Sequence, residues 1–177
     1  MALLPILTFP DPRLHKVAAP VTAVDAHVQR IVADMLETMY AAEGIGLAAT
    51  QVDIHQRIIV MDTSEQRDQP LVLINPELIA RSPERVVGDE GCLSVPGLWY
   101  PTHRAWYARV VGTDLDGNEV VVQGTELMAR CLQHEMDHLM GKVFVEYLSP
   151  LKRNRIKTKL QKEERELRRD KQALDAR

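Results

Sequence analysis

The run His134-Glu135-Met136-Asp137-His138 constrains this chain most, because on a helix it sets two imidazoles one turn apart with a carboxylate beside them. Histidines at i and i+4 can converge on one metal ion while the glutamate between them reaches the water at that ion. Leu127, Cys131, Leu132, Met136, Leu139 and Met140 supply apolar residues at mixed three- and four-residue spacing, and Gly141 offers a stop, so a helix is expected there. The bland alternative is an ordinary helix with solvated histidines. H-E-x-x-H arises by chance on the order of once in a hundred chains of this composition, which favours the metal reading.

A catalytic site of this kind usually takes three protein ligands and keeps a fourth position open. The chain has two cysteines, Cys92 and Cys131. Cys131 precedes His138 by seven residues, roughly 10 Å along a helix axis, too far for both to bind one ion. It reads as a small buried apolar residue on the core face. Cys92 lies in Gly88-Asp89-Glu90-Gly91-Cys92-Leu93-Ser94-Val95-Pro96-Gly97, which the Gly and Pro punctuation marks as a loop able to present a thiolate, and is the expected third ligand.

Three stretches, Gly44-Ile45-Gly46-Leu47-Ala48-Ala49-Thr50-Gln51, Glu90-Gly91-Cys92-Leu93-Ser94 and Gln133-His134-Glu135-Met136-Asp137-His138-Leu139, together resemble peptide deformylase of the bacterial type. The resemblance extends from Phe9-Pro10-Asp11-Pro12-Arg13-Leu14 to about Leu151-Lys152. It implies a hydrolase that removes the formyl group from N-formyl-methionine of nascent polypeptides. Under it, Cys92, His134 and His138 hold a divalent metal that activates water, and Glu135 moves the proton from that water to the leaving amine. The Gln51 amide and the Leu93 backbone N–H stabilise the oxyanion, and Ile45, Gly46 and Gly91 bind the peptide by strand addition. The family implies Fe(II), while the ligand chemistry also permits zinc, nickel or cobalt. Two places depart from the family pattern. Arg130, one turn before His134, stands where an apolar residue is expected to line the methionine pocket, and Leu98-Trp99-Tyr100-Pro101-Thr102-His103 matches no part of the pattern. Arg104 is expected to pair with Glu90, and His15, His27, His55 and His103 are assigned to the surface.

At 177 residues, with 45% hydrophobic and 27% charged residues, the chain is expected to be one domain with a core of its own. An enzyme body over 1–151 would carry a basic helical tail over 152–177. That tail holds 11 of the 22 Lys+Arg and 5 of the 25 Asp+Glu, so it is +6 on a body of −9. Phosphate contacts through it could hold the enzyme near the ribosome, although a solvated helix with i,i+4 pairs has the same composition. No membrane or DNA partner is expected. Two cysteines without a framework, an N-terminus without a basic n-region and no bilayer-long apolar run point to the cytoplasm.

Pro5, Pro10, Pro12 and Pro20 predict an extended, turning start, and Val28, Ile31, Val32, Met35, Leu36 and Met39 an amphipathic helix capped by Asp25 and stopped at Gly44. Strands are expected at 57–62, 71–75, 77–80, 104–115 and 119–123, the last two joined at Asp116-Gly117-Asn118, with a short strand at 143–145. Ser149-Pro150 opens a C-terminal helix whose sparse apolar residues predict projection into solvent or fraying beyond its first turns. The fold class is therefore α+β, mostly antiparallel strands surrounding a central metal-binding helix, with a C-terminal helix. Two rival functions remain at this stage. One is a metalloendopeptidase with a carboxylate third ligand, and the other is a non-catalytic ribosome- or RNA-binding protein that keeps the fold.

Overall fold

The computed structural model describes residues 2–176 and sets two antiparallel sheets around one central helix. After an extended start with a 3-10 turn at Pro12–His15 come α1 (Ala26–Ala41), β1 (Gly46–Ala48), β2 (Ile58–Met61), β3 (Leu71–Arg81), β4 (Arg85–Cys92), β5 (Val95–Ala105), β6 (Tyr107–Thr113) and β7 (Glu119–Thr125). The central helix α2 (Glu126–Leu139) and the C-terminal helix α3 (Pro150–Asp175) follow. One sheet has the order β1-β2-β3-β6-β7, and the other is the β4-β5 hairpin.

The core divides according to which way each side chain points. Asp25 accepts from the Val28 backbone N–H at 3.0 Å and starts α1, whose buried stripe runs through Val28, Ile31, Val32, Met35 and Met39. On β2, buried at every position, Ile58 and Val60 join that stripe while Ile59 and Met61 face the cluster built on Ala129, Leu132 and Leu139 of α2. Period-two alternation thus places a helix on each face of one strand. A third cluster gathers Phe9, Leu14, Val95, Phe144, Ile156 and Leu160, locking the N-terminal segment and the hairpin onto the start of α3.

α2 packs on both sheets, and Gln133 fixes its depth. Its amide accepts from the Ala105 N–H at 3.0 Å and donates to Ala105 O and Ala129 O, each at 2.9 Å, bonding the helix to the end of β5. α3 is capped by Ser149, which accepts from the Lys152 N–H at 3.3 Å, and it runs unbroken to Asp175. Only Ile156 and Leu160 of α3 are buried, and from Lys162 to Ala176 every residue is exposed. Lys152 to Lys159 contain five cations and no acid, whereas Lys162 to Arg177 contain six cations against five acids. The net positive charge therefore sits on the docked half of the helix.

Several expectations are corrected. The segment around Cys92 is a hairpin rather than a loop: β4 runs through Cys92, β5 begins at Val95, and residues 98–103 lie within β5. The strands expected at 71–75 and 77–80 are one strand, with a register shift that absorbs Pro76, a residue with no N–H to give the ladder. The strand expected at 104–115 breaks at Trp106, where β5 hands over to β6. Residues 143–145 form no strand. Val143 precedes a 3-10 turn at Phe144–Tyr147, a buried apolar run whose hydrophobicity alone does not distinguish turn from strand. At the end of α1 the left-handed residue is Glu43 (φ 57), while Gly44 bonds back to Met39 O at 2.9 Å.

Candidate metal centre and active site

α2 brings His134 and His138 to one face, and the β4-β5 hairpin carries Cys92 to them from outside the helix. The ligand atoms of the three residues lie within 4.8 Å of one another, and no other such trio converges among the described residues. Cys92 Sγ is 3.4 Å from His138 Nε2, and the two Nε2 atoms are 3.1 Å apart. Both histidines are buried. Cys131 is excluded as expected: buried and with its thiol pushed well up by burial, it lies 3.7 Å from Ile45 O.

Orientation comes from a second layer that the sequence reading only touched. His134 Nδ1 is 2.6 Å from Glu90 Oε1, so Nδ1–H donates to the carboxylate and Nε2 faces Cys92 and His138. Glu90 is 3% exposed. The expected Arg104–Glu90 pair is present, with Nη2 at 2.6 Å and Nε at 3.0 Å, and Thr102 donates to Glu90 at 2.5 Å. Burial alone would raise the Glu90 carboxyl, but hydrogen bonds from His134 and Arg104 outweigh it and hold Glu90 well below the usual carboxylate range. Arg104 also reaches Asp137 at 2.6 Å, and Asp137 accepts from Tyr147 at 2.8 Å. Thr102, Asp137 and Tyr147 had no sequence signal beyond their proximity to the motifs.

Arg130, which stands where an apolar residue was expected, lines the cleft with its guanidinium bonded to the hairpin. The guanidinium donates to Glu90 at 3.0 Å, to Thr102 Oγ1 at 2.7 Å and to the carbonyl of Val86 at 3.2 Å, so its charge is spent on the hairpin.

Gln51 is buried, contrary to what an isolated polar residue would suggest. Its carbonyl oxygen accepts from the Ala48 N–H at 2.9 Å, which turns its NH2 toward Ser94 Oγ at 3.1 Å and Cys92 Sγ at 3.4 Å. The Ser94 N–H also donates to the Cys92 sulfur at 3.4 Å, so two donors fix the position of the sulfur. Leu93 stands at the hairpin tip beside Cys92, its side chain under Gly44, where a Cβ would come within 2.5 Å of Leu93 Cδ1. A Cβ on Gly46 would lie 2.5 Å from Glu135 Oε1, so only glycine lets the β1 backbone approach that carboxylate. Burial pushes the Glu135 carboxyl up to about 7, and Oε2 is buried without a protein hydrogen-bond partner. One cysteine sulfur, two imidazoles and an adjacent carboxylate form a donor set that fits a divalent cation. Cys92, His134 and Glu135 line a cleft of about 500 Å³ together with Ile45, Gly46 and Gly91, while His138 is fully buried behind it.

The polypeptide deformylase family model matches residues 3–154. The chain belongs to the polypeptide deformylase family. It is 58% identical over 166 residues to peptide deformylase 1 of Ralstonia nicotianae, covering 94% of this chain and 98% of that one, and 56% identical to the peptide deformylase of Cellvibrio japonicus, covering 92% and 96%. Its fold matches the crystal structure of the Ehrlichia chaffeensis peptide deformylase in complex with actinonin, with a TM-score of 0.90 at 43% identity over 93% of this chain and 99% of that one. This deformylase has a Cys/His/His site for a divalent metal. A cysteine sulfur from the hairpin, rather than a carboxylate, as third donor separates it from the endopeptidase reading.

Proposed function

We propose that this deformylase hydrolyses the formyl group from N-formyl-methionine at the start of nascent polypeptides, releasing formate. The observation that carries this reading is the convergence of Cys92, His134 and His138 beside a buried Glu135, with Cys92, His134 and Glu135 lining one cleft. Cys92, His134 and His138 would hold the ion, Fe(II) by preference, with zinc, nickel or cobalt accepted by the same donors. When bound, the ion supplies Lewis acidity that brings the pKa of water toward neutrality.

Glu135 accepts the proton of the attacking water and passes it to the departing amine. Its burial and raised pKa suit a group that must both take and give a proton near neutral pH. The Gln51 NH2, fixed by Ala48 and turned toward the Cys92 side of the cleft, and the Leu93 N–H donate to the oxygen on which charge develops. Ile45 and Gly46 offer their backbone to an extended peptide as an added strand, with Gly91 on the opposite wall.

The reaction would take place in the cytoplasm, where formylated chains emerge. The exposed cations Lys152, Arg155, Lys157 and Lys159 on the docked half of α3 would hold the enzyme near ribosomal phosphates. Metal content and formate release from formyl-Met-Ala-Ser, measured on the same samples of parent and Cys92→Ala, test the reading. The parent is expected to retain one divalent ion and release formate, and Cys92→Ala to lose both. A Cys92→Ala variant that keeps its metal and its turnover would overturn the ligand assignment.

A further inference from the structure

The loop between β2 and β3 holds a cation in an unfavourable setting. Arg67 has left-handed backbone (φ 57), a region that favours glycine, and its Nε is buried without a hydrogen-bond partner among the described residues. Its Nη2 donates to the Gly44 carbonyl, and its guanidinium carbon stands 5.4 Å from the centre of the Tyr40 ring. Two local costs are thus borne where one cation meets one carbonyl. The surroundings fix that cation. Asp62, fully buried, accepts from the Tyr40 hydroxyl at 2.6 Å, from Ser64 Oγ at 2.5 Å and from the N–H groups of Ser64 and Gln69 at 2.9 and 3.1 Å, so ring and loop are anchored on one carboxylate.

We propose that Arg67 is a positioning residue for peptide binding: through the Gly44 carbonyl it fixes the backbone of Ile45 and Gly46, to which the substrate adds as a strand. This rests on the deformylase reading above. β1 is three residues long and has a strand neighbour on one side only. Its ladder pairs Gly46 with Met61, and the Asp62 N–H reaches Ile45 O at 2.8 Å, which leaves the Gly44 carbonyl beyond the end of β2. Arg67 supplies a donor there, directly after the left-handed turn at Glu43. A backbone already held in place loses less freedom when a peptide pairs with it. Gly44 lines the cleft and Arg67 does not, so Arg67 acts on the peptide through Gly44 and not by contact.

The test uses metal-loaded enzyme and compares formyl-Met-Ala-Ser, which can pair along the strand, with formyl-methioninamide, which has almost no backbone to pair. In Arg67→Ala the KM for the tripeptide is expected to rise about three- to tenfold, the size of one lost hydrogen bond, with kcat within about twofold, while both constants for the amide stay within about twofold. Arg67→Lys, which keeps a cation and a donor, is expected to fall between parent and Arg67→Ala, and it carries the comparison if Arg67→Ala does not fold. Hydrogen exchange gives a second readout that needs no turnover: segment 44–48 should exchange faster in the variant, and segment 132–138 at the parent's rate. An unchanged KM for the tripeptide, an equal loss on both substrates, or unchanged exchange at 44–48 overturns the inference. A parent enzyme that deformylates neither substrate overturns the deformylase reading instead, and the exchange measurement still decides whether Arg67 holds the strand.

Discussion

Replacing Glu90 by Gln keeps the side chain's volume and removes a charge that four donors share. Glu90 receives Arg104 through two nitrogens, Arg130, Thr102 and His134, all at 3.0 Å or less. In Glu90→Gln an amide NH2 meets these donors, Arg104 is left with Asp137 as its remaining anion, and Arg130 with hydroxyl and carbonyl oxygens. Removing one partner of a buried pair costs about 3 to 5 kcal/mol, and the surviving Arg104–Asp137 contact puts the expected loss near the lower end, about 3 kcal/mol. For a chain of this length that corresponds to a fall in Tm of about 6 to 12 °C. Metal-stripped protein, followed by circular dichroism, gives this value free of any stabilisation by bound ion. The same substitution releases the His134 ring, and chelator competition should show metal affinity lowered about 10- to 100-fold. A Tm within about 2 °C of the parent, together with unchanged metal affinity, would refute the idea that Glu90 organises the site.

Burial alone would raise the Asp62 carboxyl, but the Ser64 and Tyr40 hydroxyls and the N–H groups of Ser64 and Gln69 bring it down to about 2. A folded-state pKa below the unfolded value stabilises fully above about pH 4 and less as pH falls toward 2, so the Tm gap between parent and Asp62→Asn should narrow across that window. A gap that stays constant as the solution is acidified would refute this. Replacing Lys152, Arg155, Lys157 and Lys159 together by Gln should weaken co-sedimentation with ribosomes while formyl-tripeptide turnover holds, and parent co-sedimentation should fall as salt rises. Equal sedimentation of the two proteins at low salt would remove α3 as the anchor. The substitutions leave the buried Ile156 and Leu160 of α3 in the core.

Where periodicity and capping agreed, the sequence was readable. Asp25 and the 3/4 stripe behind it mark α1, and the apolar spacing around the H-E-x-x-H run marks α2 and the convergence of its histidines. The hairpin around Cys92 was misread because Gly88, Gly91, Pro96 and Gly97 are loop residues by composition. Here Gly88 gives room to the Arg130 guanidinium and Gly91 to the Trp99 ring, so the glycines mark close approaches within a ladder. The role of Arg130 was illegible for a related reason. Spacing along α2 locates its Cα near the pocket, but nothing in the sequence shows that Glu90 and Thr102 draw its charge aside. The charge asymmetry of the tail was correct in sum, and only the burial of Ile156 and Leu160 reveals which half carries it.

The central claim is that Glu135 moves protons beside an ion held by Cys92, His134 and His138. Metal content and formate release, determined on the same preparation of Glu135→Ala, test it most directly. The account predicts near-normal metal content with deformylation lowered at least about a hundredfold, since general acid–base catalysis is worth about 10² to 10⁴ in rate. Metal and activity lost in equal measure would make Glu135 a ligand and contradict it, and so would a variant that keeps its metal and still releases formate at the parent's rate.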